Sequence, residues 1–196
     1  MSPGDRRREE VLETLRRLAA TGGWEASQAI GRLLGRPITV DEAQVVPGPD
    51  AAGVLRMVGR PDADSVAVAM ELQEPIGGRF LLLLSAEAAE QVSERLVPSA
   101  AAGSLDAVGE SALVEMGNIA GSAFVSALAR HIQVRLLHGV PRLSRGGARA
   151  CLDVLAPGAT GPALGVRFGC PETVGTLLLL PDPARLDGLA RILEIP

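Results

Sequence analysis

Behind a charged start, Val11, Leu12, Leu15 and Leu18 of "VLETLRRLAA" recur at the spacing of one helical face. Gly22 and Gly23 interrupt that pattern, and "WEASQAIGRLL" resumes it. The segments "RPITVDEAQVV", "VLRMV", "SVAVAMELQ" and "RFLLLLS" read as extended. "AEAAEQVSERLV" is helical and stops at Pro98, and "PSAAAGS" reads as an internal linker. A second long helix is expected from about Leu105 to Arg130. Extended segments follow at "IQVRLL", "RACLDVLA", "ALGVRFG" and "GTLLLLP", and "PARLDGLARIL" closes the chain as a helix.

The two halves, about 5–98 and 104–196, run in the same order: long helix, strands, a leucine-rich strand, short helix. "FLLLLSAEAAEQV" aligns with "TLLLLPDPARLDG" when Leu81 is set on Leu177, an offset of 96 residues. "SQAIGRLL" aligns with "VSALARHI" when Ser27 is set on Val125, an offset of 98. The agreement points to an internal duplication, and its period is far longer than that of a solenoid repeat. Runs such as "FLLLL" lack polar alternation, as central strands covered on both faces do. The expectation is a single pseudo-two-fold α/β domain over 1–196.

The later long helix carries an unusual polar stripe. Ser111, Glu115, Asn118 and Ser122 fall at i, i+4, i+7 and i+11, on one narrow line, with Ser126 beside them. Leu113, Met116, Ala120, Phe124 and Ala127 take the opposite side and are expected on the sheet. An ordinary solvated face is the bland reading. Such faces, however, are dressed with long charged side chains, as Arg6 to Arg17 is here. This stripe has one acid, one carboxamide and small hydroxyls, bordered by Gly117 and Gly121. Glycines there would remove bulk and let a macromolecule approach. An Asn carboxamide offers both a donor and an acceptor, so it can hold a water in line with an electrophile.

Composition narrows the options. Of 196 residues 47% are apolar but only 2% aromatic, with no Tyr, so the core must be aliphatic. A net charge of -4 argues against a nucleic-acid footprint. The basic runs Arg6–Arg8 and Arg145–Arg149 read as solvated surface. The N-terminus has no apolar signal region, and the longest apolar run, Met116–Ala129, meets Arg130 and His131 too soon for a membrane span. A cytoplasmic protein is expected, with Cys151 and Cys170 reduced and buried. No G-x-S-x-G or P-loop is present, and His131 and His138 lack the company of a metal site, so both read as structural. Trp24 reads as core filling, with an exposed contact for a partner as the alternative.

Ser111-x3-Glu115-x2-Asn118-x22-Pro141 resembles the active-site signature of the CheC/CheX/FliY family of chemotaxis phosphatases. "SALVEMGNIAGSAFVSAL" is similar to that family's second long helix, and "IGRLLGRPITV" and "GGRFLLLLSAEAA" to its first repeat. The resemblance extends over nearly the whole chain. It implies a fold of the α+β type with a central, mostly antiparallel sheet flanked by two long helices. It also implies hydrolysis of the aspartyl-phosphate of a CheY-type response regulator. Asn118 would position the attacking water and Glu115 would contact the receiver's lysine, with Ser111 and Pro141 in support. No cofactor is implied on this chain; Mg2+ would sit on the receiver.

The first half departs from the family's pattern. With the offset of 98, Glu115 falls on Arg17, Asn118 on Ala20, Ser122 on Trp24 and Pro141 on Ala43. The first site should be dead, leaving one active centre. A non-catalytic module that binds a receiver or a CheD-like protein, or a flagellar switch-associated protein, is the alternative.

Overall fold

The two leucine runs meet at the centre of the fold. The structure is a computed structural model that describes residues 3–46, 53, 56, 63–98, 105–158, 161–170 and 173–193. In chain order its helices are α1 (Pro3–Leu34), α2 (Ala86–Leu96), α3 (Ala107–Ile132), α4 (Ala148–Leu155) and α5 (Leu186–Ile192). Its strands are β1 (Thr39–Val40), β2 (Gln44–Val46), β3 (Asp64–Glu71), β4 (Arg79–Ser85), β5 (Arg142–Gly147), β6 (Ala163–Cys170) and β7 (Thr173–Leu180). They form one sheet in the order β1-β6-β7-β4-β3-β5, with β2 also on β6 and every pairing antiparallel.

That order is symmetric. Exchanging β1 and β2 for β5, β3 for β6 and β4 for β7 reproduces it from the other edge, so the pseudo-two-fold passes between β4 and β7. The register there sets Leu81 opposite Leu178 and Leu82 opposite Leu177. Helices α1 and α3 lie side by side on one face, with Phe80, Leu82, Leu84, Leu177 and Leu179 beneath them in one core cluster. Leu81, Leu83, Leu178 and Leu180 point the other way, against Cys151, Leu152 and Leu155 of α4. Both faces of the central strands are therefore covered, as their unbroken apolar pattern requires. Each buried leucine contributes about 2 kcal/mol, which makes up for the scarcity of aromatic rings. The ring pair that remains, Phe80 under Phe124 at 5.0 Å between centroids, locks α3 onto β4.

Several sequence expectations change. Gly22 and Gly23 do not break the first helix, which is continuous for 32 residues. A Cβ at Gly22 would meet Phe124 and Leu128, and one at Gly23 would meet Val166, each at 2.8 Å. The pair is thus where α1 presses on α3 and on β6. "RACLDVLA" is helix α4 rather than a strand, because Ala148, Cys151, Leu152 and Leu155 recur at i, i+3, i+4 and i+7 and bury one face. "IQVRLL" is irregular: α3 runs two residues past Arg130 and ends at Gln133 in the left-handed region, φ 53°. The strand of that region is β5, "RLSRGG", unforeseen because an edge strand needs no buried alternation. Most of "VLRMV" and, apart from Pro98, the linker "PSAAAGS" lie outside the described residues; Gly53 and Arg56, which are described, are helical.

Candidate functional site

Asp106 starts α3 by accepting the Gly109 N–H at 2.8 Å, a side-chain cap for an otherwise unpaired donor. From there 26 residues follow with an apolar side on the sheet. By length and composition alone this helix could cross a bilayer, but half of that apolar window is buried inside the fold. Leu113, Met116, Ala120, Phe124 and Ala127 are all buried, as the wheel requires.

Gly117 and Gly121 are buried as well, and their role differs from the expected one. A Cβ on Gly117 would lie 2.5 Å from Val68 Cγ1, and one on Gly121 would collide with the Met70 methyl. They face the sheet and let the helix settle on β3; they do not clear space for a partner.

The polar line opposite faces outward. Val108, Ser111, Glu115 and Ser126 are exposed, while Asn118 and Ser122 are half-buried. The Ser111 hydroxyl donates to the Ala107 carbonyl one turn back, at 2.9 Å. Neither the Glu115 carboxylate nor the Asn118 carboxamide has a hydrogen-bond or ion-pair partner among the described residues. Three residues apart on a helix, the two side chains stand about 5–6 Å apart at Cβ.

A segment from the other half of the motif runs alongside. His138 Nε2 lies 2.9 Å from Ser122 Oγ, and Arg145 Nη1 reaches Glu110 Oε1 at 3.0 Å and the Leu105 carbonyl at 3.1 Å. These two tethers fix the segment 138–145 antiparallel to α3. With about 1.5 Å per residue on the helix and about 3.3 Å on an extended segment, Pro141 stands about 10 Å along from the Ser122–His138 contact, beside the stretch between Glu115 and Asn118. Val140, just before it, is 83% exposed. Ser111, Glu115, Asn118 and Pro141 are thus gathered at one face, with apolar Val108 and Val140 at its margin. The Ser122–His138 contact was not legible beforehand, since 16 residues separate the two and no spacing rule links them. His131 is exposed at the end of the helix.

The degenerate positions lie on α1. Arg17 is bound to Glu13 at 3.3 Å and Ala20 is half-buried. Trp24, expected in the core, is instead 54% exposed. Neither Cys151 nor Cys170 is in a disulfide; Cys151 is buried and burial pushes its thiol up, whereas Cys170 is half-buried, not buried as expected.

No family model and no curated protein matches this chain. Solved structures do. FliY of Thermotoga maritima matches with a TM-score of 0.69 at 14% identity, over 99% of this chain and 98% of that one. CheX of Borrelia burgdorferi, in its complex with CheY, BeF3 and Mg2+, matches with 0.57 at 17% identity, over 82% and 95%. The FliM middle domain of H. pylori matches with 0.60 at 10% identity, over 93% and 98%. The chain thus has the fold that these FliY, CheX and FliM middle-domain structures share.

Proposed function

We propose that this chain is a phosphatase for the aspartyl-phosphate of a CheY-type receiver domain, with a single active centre on α3. The observation that carries the reading is the Glu115–Asn118 pair: an exposed acid and a half-buried amide on one line of α3, with no hydrogen-bond or ion-pair partner among the described residues. Groups already satisfied inside a protein have little to offer a docked domain. These two are unspent.

Docking would bring the phosphorylated aspartate against Asn118, whose carboxamide holds a water in line with the phosphorus. The water oxygen forms the new bond to phosphorus as the bond to the aspartyl oxygen breaks, which leaves inorganic phosphate and a free carboxylate. Phosphoryl transfer through a loose transition state needs positioning more than covalent help. Glu115 would pair with the receiver's lysine and fix the angle of approach. The Mg2+, on this reading, is held by the receiver. Val108 and Val140 give the partner apolar surface to cover at the margin of the site.

The test is loss of phosphate from a labelled receiver at substoichiometric phosphatase. Asn118→Ala should slow turnover about 10²-fold or more, as removal of one oriented donor does elsewhere. Glu115→Gln should act through KM, by about tenfold, the size of one charge-assisted contact. The second reading, a non-catalytic receiver- or CheD-binding module or a flagellar switch-associated protein, draws on the likeness to the FliM middle domain and on the exposed Trp24. It expects binding with no change in dephosphorylation rate, and binding that Asn118→Ala leaves intact.

A further inference from the structure

Resting on the reading of Asn118 as the residue that holds the water, we infer that Ser122 holds the other side of that water. His138 then acts as the positioning residue that aims the Ser122 hydroxyl. Asn118 and Ser122 are four residues apart on α3. Their Cβ atoms therefore stand about 6 Å apart on one line of the helix. Two hydrogen bonds of about 2.8 Å through one water span that gap.

The polarity of the bonds decides what each group does. His138 Nδ1 lies 3.0 Å from the Gly139 carbonyl oxygen, which only accepts, so Nδ1 carries the ring proton. In the neutral ring Nε2 is then an acceptor, and the Ser122 hydroxyl 2.9 Å away donates to it. With its proton committed to His138, Ser122 Oγ turns its lone pairs outward. A water that accepts from the Asn118 N–H and donates to Ser122 Oγ keeps one lone pair free for the phosphorus. Without His138 the hydroxyl could rotate and donate to the water instead, which would occupy that lone pair.

The ring sits on a fixed mount. Gln73 N–H donates to the Leu137 carbonyl at 2.9 Å, and Gly139 N–H donates to the Glu71 carbonyl at 2.8 Å. Leu72 and His138 form a β-bridge between those bonds. His138 is thus strapped to the end of β3 on both sides of the ring, and its aim does not depend on Ser122.

The experiment measures kcat and KM for a phosphorylated receiver, and binding to the same receiver loaded with BeF3, for wild type and four variants. Ser122→Ala and His138→Ala should each lower kcat about tenfold with KM within about twofold, the signature of an interaction made in the transition state. His138→Gln, whose Oε1 can still accept the Ser122 proton, should recover kcat to within about threefold of wild type. Full kcat in Ser122→Ala beside a dead Asn118→Ala would overturn this inference and leave the phosphatase reading standing. So would losses confined to KM or to binding of the BeF3-loaded receiver, or a His138→Gln variant as slow as His138→Ala. Full kcat in Asn118→Ala would overturn both.

Discussion

Helices α1 and α3 occupy equivalent places on the sheet yet present opposite kinds of surface. Along the outward line of α3 stand Ser111, Glu115, Asn118 and Ser122; 98 residues earlier stand Glu13, Arg17, Ala20 and Trp24. On α1 the charges are settled among themselves. Arg16 Nε meets Glu13 Oε2 at 2.8 Å and Arg16 Nη1 meets Glu42 Oε1 at 3.2 Å, while Arg17 also reaches Glu13 at 3.3 Å. On α3 the acid and the amide have no such partners among the described residues. A surface whose polar groups already satisfy one another would have to break those contacts before making new ones. One that leaves an acid and an amide free is ready to receive a partner.

The sharpest way to break this comparison is to write the α3 pair onto α1. Arg17→Glu with Ala20→Asn, made in the Asn118→Ala background, restores the residue types but not their surroundings. Val40 and Ala43 stand where His138 and Pro141 stand in the second half, and Trp24 replaces the hydroxyl of Ser122. If positioning carries the catalysis, the graft stays at the Asn118→Ala level, about 10²-fold below wild type. Recovery of the wild-type rate in a phospho-receiver assay would mean that the two residue types suffice on any exposed helix.

The same pair of helices marks where the sequence could be read and where it could not. The stripe was legible because helical periodicity is rigid: once Ser111, Glu115, Asn118 and Ser122 share a line, the buried Leu113, Met116 and Phe124 must share the other. Strand register was not. Setting Leu81 on Leu177 places a residue that faces α4 on one that faces α1 and α3. A shift of one residue exchanges the faces of a strand, and a run of leucines records no such shift. Glycines misled for a related reason. Gly22 and Gly117 read locally as helix breakers or gaps, whereas their use depends on Phe124 and Val68, neighbours no local pattern names. Trp24 defeated the rule that large rings are buried, because its place on the wheel is the exposed one.

Those glycines supply the next test. A Cβ at Gly117 has nowhere to go, since Val68 below it is a buried, stiff side chain in the middle of β3. Gly117→Ala should destabilise the fold by about 1–3 kcal/mol despite the better helix propensity of Ala, as overpacking outweighs it. Gly188 in α5 has nothing within 4 Å of the same added atom. Gly188→Ala should instead stabilise by about 0.5–1 kcal/mol. Urea unfolding of both variants checks the pair; equal signs would mean that α3 does not rest on β3 as closely as described.

The smallest effect belongs to the ion pairs of α1. The Arg16 guanidinium beside Glu13, helped by Arg17, lowers that carboxyl from 4.5 to about 2. A carboxyl whose pKa is depressed in the folded state adds stability above its unfolded value and loses it as pH falls through the folded one. The contribution of Glu13 should therefore be complete above pH 4.5 and fade as pH approaches about 2. Because the pair lies at the surface of α1, salt screens it and the effect is slight. Thermal unfolding of wild type and Glu13→Gln at low ionic strength should differ a little near neutral pH and converge toward pH 2. In molar salt the two curves should coincide at every pH. A gap that persists in molar salt would mean that Glu13 holds α1 through packing, and that the settled surface of α1 is part of the core after all.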